Sequence, residues 1–313
     1  MTTREHLYKN VLPFFNIQEY WDKGFKGQGV TIASMEDTSD GHGSMVADTL
    51  LTYAPECRVI SFTDEKGYSA MGDDNKEKIR FPEFVNWCIE HNVDIVTSSL
   101  DWKCDKDVEK QAIKKLYDAG IIFCNCAGND GDEIKKSNQS KTWGFDKEVL
   151  TISGLSIDVN GKVRWSGFNY GDAVDLVTMG TGTPTIARDG GACYGWGGTS
   201  VATPMSAGML AVYKSFDKSL NSKNVFDKIV NKMETTIEYN GFKHKILVLP
   251  KIETIGVENT MEKDKDKFEN ETWAKEGLEW AEKVGLSDCT RLDENITRRE
   301  VIVMLYRLFK LYE

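Results

Sequence analysis

The residues best suited to carry chemistry lie in a glycine-rich stretch, residues 197–208. Ser200 follows two glycines and a threonine, and it precedes an apolar run at 205–212. Glycine lets the backbone turn sharply and approach a ligand closely. The apolar run predicts a buried helix, and the amino end of a helix stabilises negative charge. This stretch therefore predicts a nucleophile beside a site that can hold an oxyanion.

A hydroxyl attacks a carbonyl carbon only when a base takes its proton, an acid holds the base and fixed donors meet the oxyanion. His42 is the candidate base, because it lies between an acidic cluster and an apolar-periodic segment, whereas the other three histidines have no motif around them. Asn129 directly follows a buried strand-like run and offers a side-chain donor. The chain thus contains candidates for every part of a nucleophilic site.

Strands and helices alternate along most of the chain. Strands are predicted at 30–35, 57–63, 93–100, 121–127, 149–155 and 173–179, and helices at 45–53, 84–91, 106–119, 203–213 and 225–233. This alternation predicts an α/β fold in which helices flank a mainly parallel central sheet. Active sites of such sheets lie beyond the carboxyl ends of the strands. The acidic cluster, the histidine, the asparagine and the serine all fall there.

Composition limits the classes of function. The net charge of -10 argues against nucleic-acid binding, and no apolar run is long enough for a membrane helix. Seven cysteines without paired CxxC spacing favour reduced thiols over a disulfide framework or a zinc site. The first ten residues lack the features of a signal peptide. We therefore expect synthesis in the cytoplasm, with release or cell-wall association only by a Sec-independent route.

The carboxy-terminal part differs in composition from the rest. We predict a main domain at 1–252, a charged linker at 253–270 and a helical unit at 271–313. That unit of about forty residues is small for independent stability, so we expect it to dock or to self-associate.

Residues 198–208, Gly-Thr-Ser-Val-Ala-Thr-Pro-Met-Ser-Ala-Gly, resemble the serine motif of the subtilisin-like serine proteases, and residues 42–47, His-Gly-Ser-Met-Val-Ala, resemble their histidine motif. The order acid, histidine, serine agrees with that family. The resemblance spans roughly residues 15–245. It implies the three-layer subtilisin-like fold and an endopeptidase that acts on proteins or peptides through an acyl-enzyme, without a cofactor. In that scheme Ser200 is the nucleophile, His42 is the base and then the acid, and Asn129 binds the oxyanion beside the Ser200 N–H.

Two further segments resemble the substrate-binding parts of the family. Residues 96–100 are similar to the strand that pairs with the substrate, and residues 127–129, Ala-Gly-Asn, are similar to the oxyanion motif. The implied substrate-binding residues are Ser98, Ser99, Leu100, Asp101, Ala127 and Gly128. Asp101 stands where relatives normally have glycine. It suggests a preference for Lys, Arg or a small residue before the cleaved bond, and the alternative is a rim carboxylate that faces solvent.

The acid departs from the family pattern. An alignment without gaps puts Glu36 at the position of the catalytic aspartate, whereas Asp37 fits only if one residue bulges. We predict Asp37, with Glu36 as the alternative and Asp40 as a weaker third candidate. Only four residues separate Asp37 from His42, but five extended residues span roughly 17 Å, so a direct turn suffices. The shortened loop also removes segments that commonly bind calcium in relatives, so we predict no obligatory calcium site.

The two ends of the chain leave alternatives open. Residues 10–15 could form a segment that crosses the cleft and is removed on activation, or an arm that packs on the core. Residues 273–300 resemble one S-layer-homology repeat of Gram-positive bacteria and their phages, which implies binding to an anionic cell-wall polymer; a docking or dimerisation unit is the alternative. The rival to an active protease is a catalytically silent relative that acts as a binding or scaffold protein on the cell wall.

Overall fold

The computed structural model describes residues 1–39, 41–62, 80–100, 102, 104, 106–138, 140–188, 190–193 and 196–252. By its internal contacts the chain divides into two units, Met1–Lys251 and Ile252–Glu313. The predicted linker at 253–270 and the helical unit at 271–313 lie outside the described residues, as do Asp40 and Asp101. Their predicted roles stay predictions.

A seven-stranded sheet forms the middle of the first unit. Its strands are β1 (Thr31–Ser34), β2 (Arg58–Ser61), β3 (Ile95–Ser98), β4 (Ile122–Cys126), β5 (Leu150–Ile157), β6 (Val163–Trp165) and β7 (Leu176–Thr181). The parallel order is β2, β1, β3, β4, β5 and β7, and β6 pairs antiparallel with β5. The mainly parallel sheet that the strand and helix pattern predicts is confirmed.

Helices cover both faces of the sheet. They are α1 (Thr3–His6), α2 (Leu12–Phe14), α3 (Ile17–Asp22), α4 (Gly41–Tyr53), α5 (Phe81–Glu90), α6 (Asp107–Asp118), α7 (Thr199–Phe216) and α8 (Val225–Lys228). Helix α7 packs across β3, β4, β5 and β7, with α4 against it. On the other face, α5 and α6 share an apolar core with side chains of β1, β3 and β4. These elements form the expected three layers.

Short elements complete the first unit. A π-helical turn spans Leu7–Val11, and 3-10 turns span Thr142–Gly144 and Val230–Lys232. Two antiparallel hairpins pair β8 (Thr185–Ile186) with β9 (Ala192–Cys193), and β10 (Thr236–Tyr239) with β11 (Phe242–Lys245).

The amino-terminal arm packs on the core. Val11, Leu12 and Phe15 are fully buried, and the Leu249 N–H donates to the Phe15 carbonyl at 3.0 Å. The His6 ring nitrogen Nε2 donates to the Ile157 carbonyl at 3.1 Å. Of the two arrangements expected for residues 10–15, the structure shows an arm packed on the core.

Two helices begin four residues earlier than their apolar periodicity predicts. Helix α4 starts at Gly41 rather than at residue 45, and α7 starts at Thr199 rather than at residue 203. Their first turns consist of small and polar residues, which do not register as part of an apolar pattern. As a result His42 and Ser200 both lie within the first turn of a helix.

Three general features of the described residues bear on function. No helix among them is both long and apolar enough to cross a bilayer. No group of three or more His, Cys, Asp or Glu side chains among them could hold a metal ion. The cysteines with described side chains are buried and form no disulfide with one another, namely Cys57, Cys88, Cys104, Cys124 and Cys126.

Candidate active site

Ser200 is joined to the end of β3 by two reciprocal hydrogen bonds. Its hydroxyl Oγ donates to the Ser99 carbonyl at 3.1 Å, and the Ser99 hydroxyl donates to the Ser200 carbonyl at 3.0 Å. Ser200 is half-buried, whereas Ser99 is buried. The candidate nucleophile is therefore held against the strand that is predicted to pair with substrate.

Pro204 explains why the Ser200 carbonyl is free to accept that bond. Proline lies inside α7, four residues after Ser200. Because proline has no backbone N–H, it cannot make the helical hydrogen bond to the carbonyl of residue 200. The Ser99 hydroxyl takes this acceptor instead.

The residues before Ser200 form the sharp turn that the glycines predict. Gly198 has a φ of +113°, a conformation that side chains disfavour, and its N–H donates to the Gly180 carbonyl at 2.7 Å. This contact fixes the start of α7 at the carboxyl end of β7. The next backbone N–H, that of Thr199, points towards Asn129.

The side chain of Asn129 is fixed by its oxygen. Its Oδ1 accepts hydrogen bonds from the Thr199 N–H at 2.8 Å and from the Thr199 hydroxyl at 3.1 Å. The amide nitrogen Nδ2 is on the other side of the same planar group. Within the described part of the chain, neither Nδ2 nor the Ser200 N–H has a hydrogen-bond partner. Two donors are thus available near Ser200, an arrangement that can accept an oxyanion.

Asn169 supports the loop that carries Asn129. It is 2% exposed. Its Nδ2 donates to the Ala127 carbonyl at 2.9 Å, and its Oδ1 accepts from the N–H groups of Asp130 and Asp132 at 3.0 and 2.9 Å. The sequence motifs do not include Asn169. Its one local signal is its position in the glycine-containing segment 167–171, which is typical of a turn.

Glu36 lies in the interior, next to Ser99. It is 6% exposed. One carboxylate oxygen accepts from the Ser99 N–H at 2.6 Å, and the other accepts from the Ser34 hydroxyl at 2.9 Å. Burial raises the pKa of Glu36, and these hydrogen bonds oppose that rise. Glu36 therefore touches the same residue that touches the candidate nucleophile.

Asp37, which the sequence analysis predicts as the acid, lies outside the buried surroundings of Glu36. It is exposed, and its Oδ1 accepts from the Ser39 N–H at 2.8 Å, as in a local turn. Hydrogen bonding to Ser39 holds the pKa of Asp37 below its ordinary value. Among the described residues, Asp37 and Glu36 thus occupy different surroundings, and only Glu36 belongs to the buried cluster around Ser99.

His42 lies at the rim of this cluster. The edge of its ring meets Trp196 at a centroid distance of 5.7 Å and an interplanar angle of 81°. Within the described ranges His42 has no hydrogen bond to Ser200, Glu36 or Asp37. The residue is exposed, but desolvation of its ring lowers the pKa of His42. Catalytic hydrogen bonds in unliganded sites are often long and shorten when substrate binds.

The predicted substrate-binding residues flank Ser200 at the ends of two strands. Ser98 is the last residue of β3 and is fully buried, and Leu100 beyond it is half-buried. Ala127 and Gly128 follow β4 and are buried, and the Gly128 N–H donates to the Thr199 hydroxyl at 3.2 Å.

Comparison with known proteins identifies the family of the chain. The model of the subtilase family, peptidase S8, matches residues 3–247. The chain belongs to the subtilase family. An intracellular serine protease of Paenibacillus polymyxa is 28% identical over 202 residues, which cover 62% of this subtilase and 61% of that relative. The major intracellular serine protease of Bacillus subtilis (strain 168) is 24% identical over 275 residues, with 72% and 83% covered.

Solved structures show the same fold. The prenylagaramide maturation protease PagA superposes on this subtilase with a TM-score of 0.55 at 18% identity, covering 74% of this chain and 94% of that one. The S41 psychrophilic protease gives a TM-score of 0.52 at 19% identity, with 66% and 84% covered. At such low identity these likenesses concern the fold alone.

Proposed function

We propose that this subtilase is a serine endopeptidase that hydrolyses peptide bonds through an acyl-enzyme. Membership of the family and the serine protease relatives support the reaction class. The observation that carries the proposal is the fixed Asn129 side chain, whose Nδ2 is left available beside the Ser200 N–H while Thr199 holds its Oδ1. Such donors are useful where negative charge develops on a carbonyl oxygen.

The proposed steps assign one role to each group. His42 takes the proton of the Ser200 hydroxyl as Oγ bonds to the substrate carbonyl carbon, and the resulting oxyanion is bound by Asn129 Nδ2 and the Ser200 N–H. His42 then gives the proton to the departing amine as the C–N bond breaks. Water, activated by His42, attacks the acyl-enzyme and releases the acid and the free serine.

We further propose Glu36 as the carboxylate that orients His42. Glu36 is buried beside Ser99, whereas Asp37 is exposed and bonded to its own turn. When it is ionised, a buried carboxylate interacts more strongly with an imidazolium than an exposed one does. In this proposal the His42 ring turns from its contact with Trp196 towards Glu36 and Ser200 when substrate binds.

Substrate binding also explains how the nucleophile becomes available. In the unliganded protein the Ser200 hydroxyl donates to the Ser99 carbonyl. A substrate strand that pairs with residues 98–100 brings its own N–H to this carbonyl. The substrate N–H competes with the Ser200 hydroxyl for this carbonyl, and the hydroxyl can turn to donate to His42.

We infer a cytoplasmic location, because two relatives are named intracellular serine proteases. The expected substrates are proteins or peptides. A catalytically silent scaffold is the less favoured alternative. The chain belongs to a family of proteases and contains the candidate serine, histidine and asparagine. Self-association or cell-wall binding through residues 271–313 stays a prediction, as does the Sec-independent route of release.

Hydrolysis of unfolded casein and of a fluorogenic peptide library tests the proposed function. We expect turnover by the full chain, and its loss in Ser200→Ala and His42→Ala with native circular dichroism retained. Ser206→Ala is a matched control, because Ser206 is a buried serine of the same helix that bonds to Ala202 and Thr178. Turnover that persists in Ser200→Ala would contradict the proposal, and no turnover by the wild type would favour the scaffold.

A further inference from the structure

The position of His42 depends on the backbone on either side of it. Among the described residues, the His42 ring meets the ring of Trp196 and makes no hydrogen bond to Ser200, Glu36 or Asp37. Before it lies the turn that contains Thr38, and after it α4 continues through Ser44 and Asp48. A base without a hydrogen bond to these groups depends on its two flanks for alignment.

Arg188 contacts both flanks at once. Its Nε donates to Asp48 Oδ1 at 2.8 Å, and its Nη2 donates to the Ser44 hydroxyl at 2.9 Å and to the Thr38 carbonyl at 3.2 Å. Two of these acceptors follow His42 in α4 and the third precedes it. The planar guanidinium can bind three acceptors in one fixed geometry, which the ammonium of lysine does not reproduce.

Arg188 also belongs to the chain segment that leads to Trp196. It lies between β8 and β9, and β8 packs against α4 through the Thr52 hydroxyl, which accepts from the Ile186 N–H at 2.8 Å. The chain continues from β9 to Trp196, which meets the His42 ring. One segment thus supplies both the group that joins the flanks and the wall beside the imidazole.

The two flanks of His42 are in close contact, so a small shift of either one affects the other. A Cβ placed on Gly43 would lie 1.8 Å from the Asp37 carbonyl oxygen. Helix α4 therefore begins directly against the turn that precedes it. Displacing either flank would move His42, since residue 42 lies between them.

We propose that Arg188 is a positioning residue for catalysis, which aligns His42 by holding Thr38, Ser44 and Asp48 in one arrangement. This inference rests on the proposed function. Arg188 touches none of the reacting groups described above, so its loss affects the proton-transfer geometry and leaves substrate binding unchanged. A displacement of about 1 Å in a catalytic group can cost on the order of a hundredfold in rate.

Kinetics of Arg188→Ala and Arg188→Lys with a fluorogenic peptide test this role. We expect kcat to fall roughly tenfold or more in Arg188→Ala, with KM within about twofold of the wild type. The rate of labelling by a fluorophosphonate should fall by the same factor, because it needs the same serine and histidine. Arg188→Lys should recover part of kcat. Arg164→Ala is the matched control, since Arg164 pairs with Asp158 on another part of the surface and should retain wild-type kcat.

The outcomes separate this inference from the proposed function. An active wild type with an inactive Ser200→Ala supports the function whatever Arg188 does. Wild-type kcat in Arg188→Ala overturns the positioning role. So does an equal fall of kcat in Arg188→Ala and Arg164→Ala, or a change in Arg188→Ala that raises KM and leaves kcat unchanged. Should Arg188→Ala not fold, Ser44→Ala and Asp48→Ala each remove one of the three hydrogen bonds. We expect both to lower kcat at constant KM, and unchanged kcat in both would overturn the inference.

Discussion

Exchanging one carboxylate at a time distinguishes Glu36 from Asp37 as the acid of the triad. Glu36→Gln and Asp37→Asn keep the size of each side chain and remove its charge. We expect kcat to fall by roughly 10⁴-fold in Glu36→Gln, which is the usual cost of losing the charge that orients and stabilises a catalytic histidine. Asp37→Asn should change kcat by less than about threefold, because surface substitutions of this kind have small effects.

The hydrogen bonds of the two residues support these different magnitudes. Asn at position 37 keeps an oxygen that can accept from the Ser39 N–H, now at 2.8 Å from Asp37 Oδ1. Gln at position 36 keeps one oxygen for the Ser99 N–H, but its amide group turns a donor towards Ser34, whose hydroxyl now donates to Glu36. The Ser34 hydroxyl can rotate to accept instead. The change at Glu36 therefore removes charge with little loss of packing.

The stability of the folded protein should depend on pH through Glu36. Burial raises the pKa of Glu36 in the folded protein above its ordinary value of 4.5. The stabilising effect of this difference is fully present below pH 4.5 and is lost as pH rises through the folded pKa. Gln does not titrate, so Glu36→Gln lacks this loss. Relative to the wild type, the free energy of unfolding of Glu36→Gln should increase with pH.

Steady-state kinetics and urea unfolding at several pH values measure both effects. We expect Glu36→Gln to be inactive and to gain stability relative to the wild type as pH rises. We expect Asp37→Asn to be active. If Asp37→Asn loses turnover and Glu36→Gln keeps it, the assignment of Glu36 is wrong and Asp37 is the acid. If both keep turnover, neither carboxylate orients His42.

Three further predictions concern neighbouring groups. Asn129→Ala should lower kcat roughly 10²- to 10³-fold at nearly constant KM, because one oxyanion donor is lost; a large change in KM alone would contradict this role. Trp196→Ala should move the acid limb of kcat/KM to higher pH, since water then reaches the His42 ring and its lowered pKa rises, whereas Trp165→Ala should leave the limb in place. Asn169→Asp should destabilise the protein by about 1–3 kcal/mol in urea unfolding, because a carboxylate oxygen replaces the donor to the Ala127 carbonyl; unchanged stability would refute this.

Much of the fold follows from local patterns in the sequence. The parallel strands are short apolar runs, and helices such as α5 and α6 have clear apolar periodicity. The hairpins β8–β9 and β10–β11 were not predicted, because β8 and β9 have only two residues each, and β10 and β11 mix polar with apolar residues instead of forming an apolar run. The helical arm at the amino end was missed as well. Its π-helical turn at Leu7–Val11 depends on burial against the core rather than on a local signal.

The choice between Glu36 and Asp37 as the acid cannot be made from a local sequence pattern. Side chains alternate between the two faces of a strand. Ala33 and Met35 belong to the core shared with α5 and α6, so Ser34 and Glu36 lie on the opposite face, where Ser200 lies in the first turn of α7. The sequence contains this alternation but does not say which face meets the nucleophile. The faces become known only when the helices are placed on the sheet.

Long-range contacts explain the other residues that sequence reasoning missed. Arg188 and Asp48 are 140 positions apart, and Asn169 and Ala127 are 42 apart. Neither arginine nor asparagine is unusual in its own segment. Ser200 and His42 are recognisable because each lies within a sequence motif. Arg188 and Asn169 instead contact segments that are distant in sequence and that only the fold brings close to them.

Mass spectrometry of the full chain after reaction with a fluorophosphonate is the most direct test that this subtilase is a serine endopeptidase. The reagent bonds only to a hydroxyl that a neighbouring base has activated. We expect one phosphonyl adduct, on Ser200, and none in the Ser200→Ala protein or after denaturation. An unmodified Ser200 in a folded protein, or an adduct on another serine that survives Ser200→Ala, would contradict it.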